Sequence, residues 1–361
     1  MRFCPVFYCD RLQYPMLKIG ALSLKYPFVL APMAGITDLP YRMICRRFGC
    51  ELAFVEMTSA KALVYGNKKT AKLVATRPED RPLGIQLLGW EEEFVLRALD
   101  IIQKYEHDVI DFNSACPVSK VTSKGEGCGM MKDPRKLGRM LKAIVDHTNT
   151  PVTVKIRAGW NENAVNAREV ALYAQDAGIK GLFIHGRTRQ QGYSGSVDYN
   201  VIREVKEALD IPVIGSGDVF SPLHIKKMFE ETGCDGVAVA RGSFGNPWIF
   251  RETIQFLESG VIPPRPDIRE VADIMADHLI SISAYHGPVT APVVFRKFFA
   301  WYIKGFREVK PLKERAFRAK TADEMLELIA EFRRHEPHAE TAEDMEPQKF
   351  TAEDAEKKQF Y

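Results

Sequence analysis

The sequence predicts a (β/α)8 barrel followed by a small helical bundle and an acidic tail. Three observations predict it. Eight short, nearly continuous apolar runs alternate with helical segments from Lys25 to Phe250, the pattern of parallel strands covered on both faces. A proline-rich break, Val261-Ile-Pro-Pro-Arg-Pro266, ends that alternation, and only helical patterns follow it. The chain then closes on two copies of a decapeptide, TAEDMEPQKF and TAEDAEKKQF. Two copies are too few for a solenoid, and their composition is that of a solvated, disordered segment.

The strand runs are Phe28–Leu30, Leu52–Glu56, Leu83–Leu88, Val109–Asn113, Val152–Ile156, Gly181–His185, Pro212–Ile214 and Gly236–Ala240. Helices are predicted near Leu39–Phe48, Glu91–Lys104, Pro134–Asp146, Ala164–Ala177, Tyr199–Ala208 and Pro222–Glu231. Asp133-Pro134 and Ser221-Pro222 supply start signals for two of them. A doubly wound sheet is the competing fold. It would carry G-x-G-x-x-G after its first strand, and here that strand ends Ala31-Pro-Met-Ala-Gly35. Beyond the proline break, helices are expected over about Ile268–His286, Pro292–Phe306 and Thr321–Arg334. The resulting organisation is an N-terminal extension (1–24), a barrel (25–258), a helical domain (267–335) and a tail (336–361).

The bulk composition, 46% hydrophobic and 27% charged, is that of a water-soluble globular chain. No apolar run reaches the ~18 residues of a membrane span. Asp10 and Arg11 interrupt any signal-peptide core, so a cytoplasmic protein is expected; a monomer is expected as well. The seven cysteines are odd in number, and none of their spacings is a recognised zinc pattern, so neither a disulfide framework nor a metal is predicted. The formal net charge of +3 divides unevenly: the tail carries −5 and the rest +8. Segment 291–320 alone holds nine basic residues, among them Arg296, Lys297 and Lys304, against two acids. Such a body suits a polyanion, although a solvated surface reads the same way.

Reactive groups of a barrel collect where strands run into their following loops. Strand one ends Pro32-Met33-Ala34-Gly35, small enough to let backbone approach a flat ring. Strand three carries Gln86, an amide within an apolar run that needs polar partners. Strand four ends Asp111-Phe-Asn113-Ser-Ala-Cys116-Pro117, strand five Lys155-Ile-Arg157, and strand six His185-Gly-Arg187. Strands seven and eight end Ser216-Gly217-Asp218 and Ala240-Arg241-Gly242. Loops after those two strands form the usual phosphate site of this fold, with Arg241 to assist. Alone, Lys155 reads as structural, His185 as a core histidine and Gln86 as a bridge between layers. Together they fit a phosphorylated planar cofactor, a flavin, with Lys155 beside its pyrimidine edge.

Two cysteines accompany one glycine-rich loop long enough for a lid, Lys120–Gly129: Cys116 before it and Cys128 within it. Cys116 directly follows a strand end. A thiol with its ordinary pKa near ~8.5 is mostly protonated at neutral pH and can donate a proton; the bland reading is a small buried hydrophobe. Cys128 lies between glycines and is the weaker candidate.

APMAGITDLPYR, GIQLLG, DFNSACPVSKVTSKGEGCGMMKDP, TVKIRAGW, IHGRTRQQGYSG, PVIGSGDVFSP and VARGSFGNPWIF, in that order, resemble the bacterial tRNA-dihydrouridine synthases. The resemblance runs from Tyr26 to Phe250. It implies FMN, NADPH as reductant and a uridine in tRNA as substrate. It further implies that Pro32, Met33 and Ala34 line the flavin, and that Gln86 and Lys155 contact its rings. Asn113 would sit beside flavin and substrate. His185, Ser216, Gly217, Asp218, Ala240 and Arg241 would hold the ribityl phosphate. Arg157 and Arg187 would contact RNA or substrate, and Cys116 would protonate C5 after hydride reaches C6. Arg296, Lys297 and Lys304 would grip tRNA phosphates. The chain departs from the family pattern at Ser114-Ala115, where Met-Gly is usual, at Ser216 for Asn, and at Ala240 for Gly.

Two other functions fit the same residues. A flavin barrel of the dihydroorotate dehydrogenase type would act on a free pyrimidine, but would have no use for a basic helical domain. An RNA-binding protein without chemistry would have no use for Cys116 and Lys155.

Overall fold

The computed structural model describes Tyr14 and residues 16–335. The decapeptide tail, Cys4 and Cys9 lie outside the described residues.

Eight parallel strands close into a barrel: β1 (Phe28–Leu30), β2 (Ala53–Phe54), β3 (Leu83–Leu88), β4 (Val109–Ser114), β5 (Val152–Arg157), β6 (Gly181–His185), β7 (Val213–Ser216) and β8 (Gly236–Val239). β8 pairs with β1 and β2 with β3, which closes the ring. Nearly every strand residue is buried, because helices cover the outside and side chains fill the inside.

Alternation along each strand sorts the interior into levels. At the lower level Val29, Phe54, Val109, Phe183, Ile214 and Ala238 form one apolar cluster. Phe54 and Phe183 meet edge-on with ring centroids 5.4 Å apart. Gly84 lacks a side chain there because a Cβ would stand 2.2 Å from the Phe54 ring. Two residues further on, the same faces turn polar.

Segment 17–24, which the sequence sets apart as an extension, is a hairpin of Leu17–Ile19 and Leu22–Leu24. Leu17, Ile19 and Leu24 join the lower apolar cluster and seal the bottom of the barrel.

Beyond the proline-rich stretch stand four helices, Ile268–His286, Ala291–Tyr302, Lys310–Arg318 and Ala322–Arg333. The sequence pattern missed the third, whose many charged residues leave only Leu312 and Ala316 to bury. Helices Ala60–Val64, Lys68–Leu73 and Ile249–Ser259 were also not anticipated. The helical segment shares its apolar core with the barrel. It docks over the β1 and β8 loops: Trp301 stacks on Phe244 at 4.2 Å, and Phe298 lies 5.4 Å from Tyr41.

His278 lies in this junction, fully buried, with Nδ1 3.1 Å from the Tyr302 hydroxyl and Nε2 without a hydrogen-bond partner among the described residues. Burial, the largest cause, and Lys297 lower its pKa to about 4, against an opposing pull from Asp38. Folding therefore favours the neutral ring. Its contribution is fully present above pH ~6.5 and is lost as pH falls from there towards 4, up to ~3 kcal/mol. Denaturant titrations should show this acid-side loss, and His278→Leu should flatten it. An unchanged slope in the variant would remove His278 as the cause.

Candidate active site

The polar level of the barrel is assembled by strand register. Gln86 faces Asp111 across β3 and β4, Asn113 faces Lys155 across β4 and β5, and His185 stands between Arg157 on β5 and Ser216 on β7. The amides form a chain. Gln86 Nε2 donates to Asp111 Oδ2 at 2.7 Å, and Asn113 Nδ2 donates to Gln86 Oε1 at 2.8 Å. Asn113 Oδ1 accepts the N–H groups of Ala115 and Cys116 at 3.1 and 2.9 Å. Asn113 thus sets the turn that presents Cys116.

Of the five described cysteines, Cys116 alone is not buried. Desolvation still raises its thiol pKa, with Arg157 pulling the other way. Cys128 is sealed. Its Sγ rests 3.8 Å from Met131 Sδ and 3.7 Å from the Gly159 carbonyl, and burial pushes it up to about 11. The glycine-rich loop is no free lid. Cys128 N–H donates to the Cys116 carbonyl at 3.1 Å, and the Arg189 guanidinium holds Pro117 and Ser119. Gly127, at φ +57°, lies so near that a Cβ would reach within 2.9 Å of Cys116 Cβ.

Arg157 and Arg187 do not face solvent; each is 2% exposed. Arg157 donates to the carbonyls of Ala115, Thr188 and Gly192, tying the Cys116 loop to the β6 loop. Arg187 makes a two-pronged pair with Asp218 at 2.9 and 2.6 Å and also binds the Ser194 and Gly195 carbonyls. Both brace the loops around the strand ends through these buried hydrogen bonds. Their position at the end of a strand, pointing inward, is what the sequence alone left undecided.

The β7 and β8 loops meet closely. A Cβ on Gly242 would stand 1.9 Å from the Val219 carbonyl oxygen. Gly217 (φ +117°) and Asp218 (φ +53°) turn the chain sharply under Arg241, whose Nη2 lies 3.4 Å from Asp218 Oδ1. Pro32 and Met33 are half-buried and Ala34 exposed, in a turn closed by Ile36 and Thr37 N–H groups on the Met33 carbonyl. The Ala240 carbonyl anchors Ser243.

In the helical segment, Lys297 bonds the Gly35 carbonyl, beside the turn of strand one. Arg296 is turned inward, its Nη2 donating to the Ala319 carbonyl at 2.8 Å. Lys304 lies half-buried in the turn that follows helix Ala291–Tyr302.

The family model for dihydrouridine synthase matches residues 29–336. The chain belongs to the dihydrouridine synthase family. A curated relative named tRNA-dihydrouridine synthase B, from Xanthomonas axonopodis pv. citri, is 36% identical over 88% of this chain and 95% of its own length. Another of that name, from Vibrio cholerae, is 34% identical over 87% of this chain and 97% of its own. Among solved structures, a 6-hydroxypseudooxynicotine amine oxidase from Pseudomonas geniculata N1 aligns with TM-score 0.55 at 16% identity, covering 74% of this chain and 52% of that one. Histamine dehydrogenase from Rhizobium sp. 4-9 gives 0.52 at 15%, covering 77% and 51%. These two share the fold.

A dihydrouridine synthase is a flavin-dependent oxidoreductase, and the residues present fit a flavin. Lys155 makes one hydrogen bond among the described residues, to Ser216 Oγ at 3.2 Å. Burial first, then Arg157, lowers its pKa to about 8, with Asp111 opposing. His185 is pushed well below its usual value by burial and by four surrounding cations, Arg157, Lys155, Arg187 and Arg241. Such an excess of positive charge suits an anionic ring edge and a phosphate. In a dihydrouridine synthase with this geometry, Lys155 would face the ring edge, and Arg241 with the β7 and β8 loops would hold the phosphate.

Sequence reading assigned no role to Asp111 or to Thr153, whose Oγ1 donates to Asp111 Oδ1 at 2.7 Å. It also missed Glu56, which accepts the Gly35 N–H. Asp111 was legible as a carboxylate inside an apolar run; Thr153 and Glu56 carried no signal, because either residue is ordinary in or beside a strand.

Proposed function

We propose that this chain reduces a uridine of tRNA to 5,6-dihydrouridine, with FMN as its bound flavin, NADPH as reductant and Cys116 as proton donor. The observation that carries this is the contrast between the cysteines: Cys116, just past the end of β4 with its N–H on Asn113, is partly exposed, while the other described thiols are buried. The reduced flavin would supply hydride to C6 of the uracil ring.

Cys116 Sγ–H then gives its proton to C5, and the resulting thiolate recovers a proton from water. The raised thiol pKa keeps Cys116 protonated at neutral pH, which suits an acid and not a nucleophile. Asn113 and Arg157 hold the loop so that the thiol meets the ring from a fixed direction. The target base must leave its stack to enter the barrel mouth. Family membership and the basic 291–320 segment support tRNA as its carrier.

Purified protein with NADPH and unmodified tRNA should produce dihydrouridine, read by nucleoside mass spectrometry. Turnover of free uracil or dihydroorotate at rates independent of tRNA would overturn the assignment. A colourless protein that takes up no FMN yet binds tRNA would also overturn it. Lys297→Ala with Lys304→Ala should weaken tRNA binding and lower its salt slope by roughly one unit for each phosphate that is no longer neutralised. An unchanged slope would take both lysines off the RNA surface. Arg296→Ala is a poorer test, since it also removes the brace on Ala319.

A further inference from the structure

The polar level of the barrel contains a buried carboxylate, Asp111, that the proposed chemistry does not use. Asp111 is fully buried between β3 and β5, and both of its oxygens are occupied. Oδ1 accepts Thr153 Oγ1–H and Oδ2 accepts Gln86 Nε2–H, each at 2.7 Å.

We propose that Asp111 is a positioning residue: it fixes the orientations of the Gln86 and Asn113 side-chain amides in series, and through them the placement of Cys116. This rests on Cys116 being the proton donor.

Hydrogen-bond direction propagates from the carboxylate outward. An ionised carboxylate can only accept hydrogen bonds. Gln86 must therefore turn its NH2 towards Asp111 and its oxygen away. The oxygen that faces away can only be met by a donor, so Asn113 must offer its NH2, as it does at 2.8 Å. Asn113 is then left with its oxygen pointing at the backbone. There it accepts the N–H groups of Ala115 and Cys116. Reversing either amide would set N–H against N–H or oxygen against oxygen within the chain. Such mismatches in a buried site lose the bond and leave polar groups unsatisfied. The chain is thus pinned at both ends, by the acceptor-only carboxylate of Asp111 and by the donor-only N–H groups of Ala115 and Cys116, and an end group at 111 that could also donate would loosen the Gln86 side of it. Thr153 closes the other oxygen, so Asp111 cannot rotate to release Gln86 without losing a second bond.

Burial pushes Asp111 up to about 6, against the pull of its Gln86 and Thr153 bonds and of Lys155, so it is ionised at neutral pH. The chain of donors and acceptors is thereby set under working conditions.

Asp111→Asn tests this, because it keeps shape and removes the acceptor-only end. Four quantities are read on the FMN-loaded protein: flavin reduction by NADPH without tRNA, kcat for tRNA, KM for tRNA, and the rate of iodoacetamide alkylation at Cys116, followed by peptide mass spectrometry. Expected are a flavin reduction that falls far less than kcat, an unchanged tRNA KM, a kcat lower by roughly 10- to 100-fold from misplacement of the donor, and a severalfold change in Cys116 alkylation. Wild-type kcat and alkylation in a folded Asp111→Asn protein would overturn the proposal. So would an equal loss of flavin reduction and turnover, which would mark a general collapse of the pocket. If Asp111→Asn fails to fold, Thr153→Val and Thr153→Ser ask the same question. Valine should lower kcat and alter alkylation, and serine should restore both; no difference between them would count against the proposal. Wild-type turnover in Cys116→Ala would instead defeat the donor assignment, so the two failures are distinguishable.

Discussion

Cys116→Ala should retain its flavin and be reduced by NADPH at the wild-type rate, but should form dihydrouridine slower by ~10²- to 10⁴-fold, the span a positioned general acid contributes. The expectation follows from placement. Cys116 stands past the end of β4, its N–H on Asn113, its thiol partly open. Nothing it does bears on the phosphate loops or on Lys155, so the reductive half of the cycle is spared. Single turnover of pre-reduced enzyme with tRNA separates the two halves. Cys128→Ala is the internal comparison: its thiol packs on Met131 and Gly159, so that variant should lose some stability and keep its turnover. Equal activity losses in both variants would mean that the loop, and not one thiol, is what matters.

Gly242→Ala should cost flavin affinity. Its Cβ would meet three backbone atoms, the Val219 oxygen at 1.9 Å, the Val219 carbon at 2.9 Å and Phe220 Cα at 3.0 Å. Backbone cannot rotate aside as a side chain can, so the β7 and β8 loops must separate. Those loops carry Gly217, Asp218 and Arg241, the groups proposed to surround the phosphate. Losing one hydrogen bond to a charged group amounts to about a 10- to 100-fold rise in Kd. Fluorescence titration of the apoprotein with FMN reads this directly, and riboflavin, which lacks the phosphate, should show a smaller difference between wild type and variant. If both ligands lost affinity equally, the phosphate would not be held here.

The barrel was legible because its strands are short, apolar and evenly spaced, and because covered parallel strands have no competing pattern of that regularity. Element ends were less so. Ser216 belongs to β7 and Arg157 to β5, each beyond the apolar run that marks the strand. Polar side chains extend these strands because they face inward to the site, where tertiary neighbours satisfy them. Helix Lys310–Arg318 was missed for a related reason: its buried face is two residues wide, too narrow for periodicity to register.

The sequence by itself determined the fold class, the family and the set of residues at the strand ends. Those depend on local pattern and on residue identity, which a chain displays without folding. Only the tertiary structure decided what each polar side chain does there. Arg157 and Arg187 are inward braces because carbonyls and Asp218 from other loops surround them. Cys116 is open and Cys128 sealed because one loop folds back on itself. Asp111 directs two amides because β3, β4 and β5 bring them into register. Hydrogen-bond direction is a relation between groups distant in the chain, and it exists only once the barrel has closed.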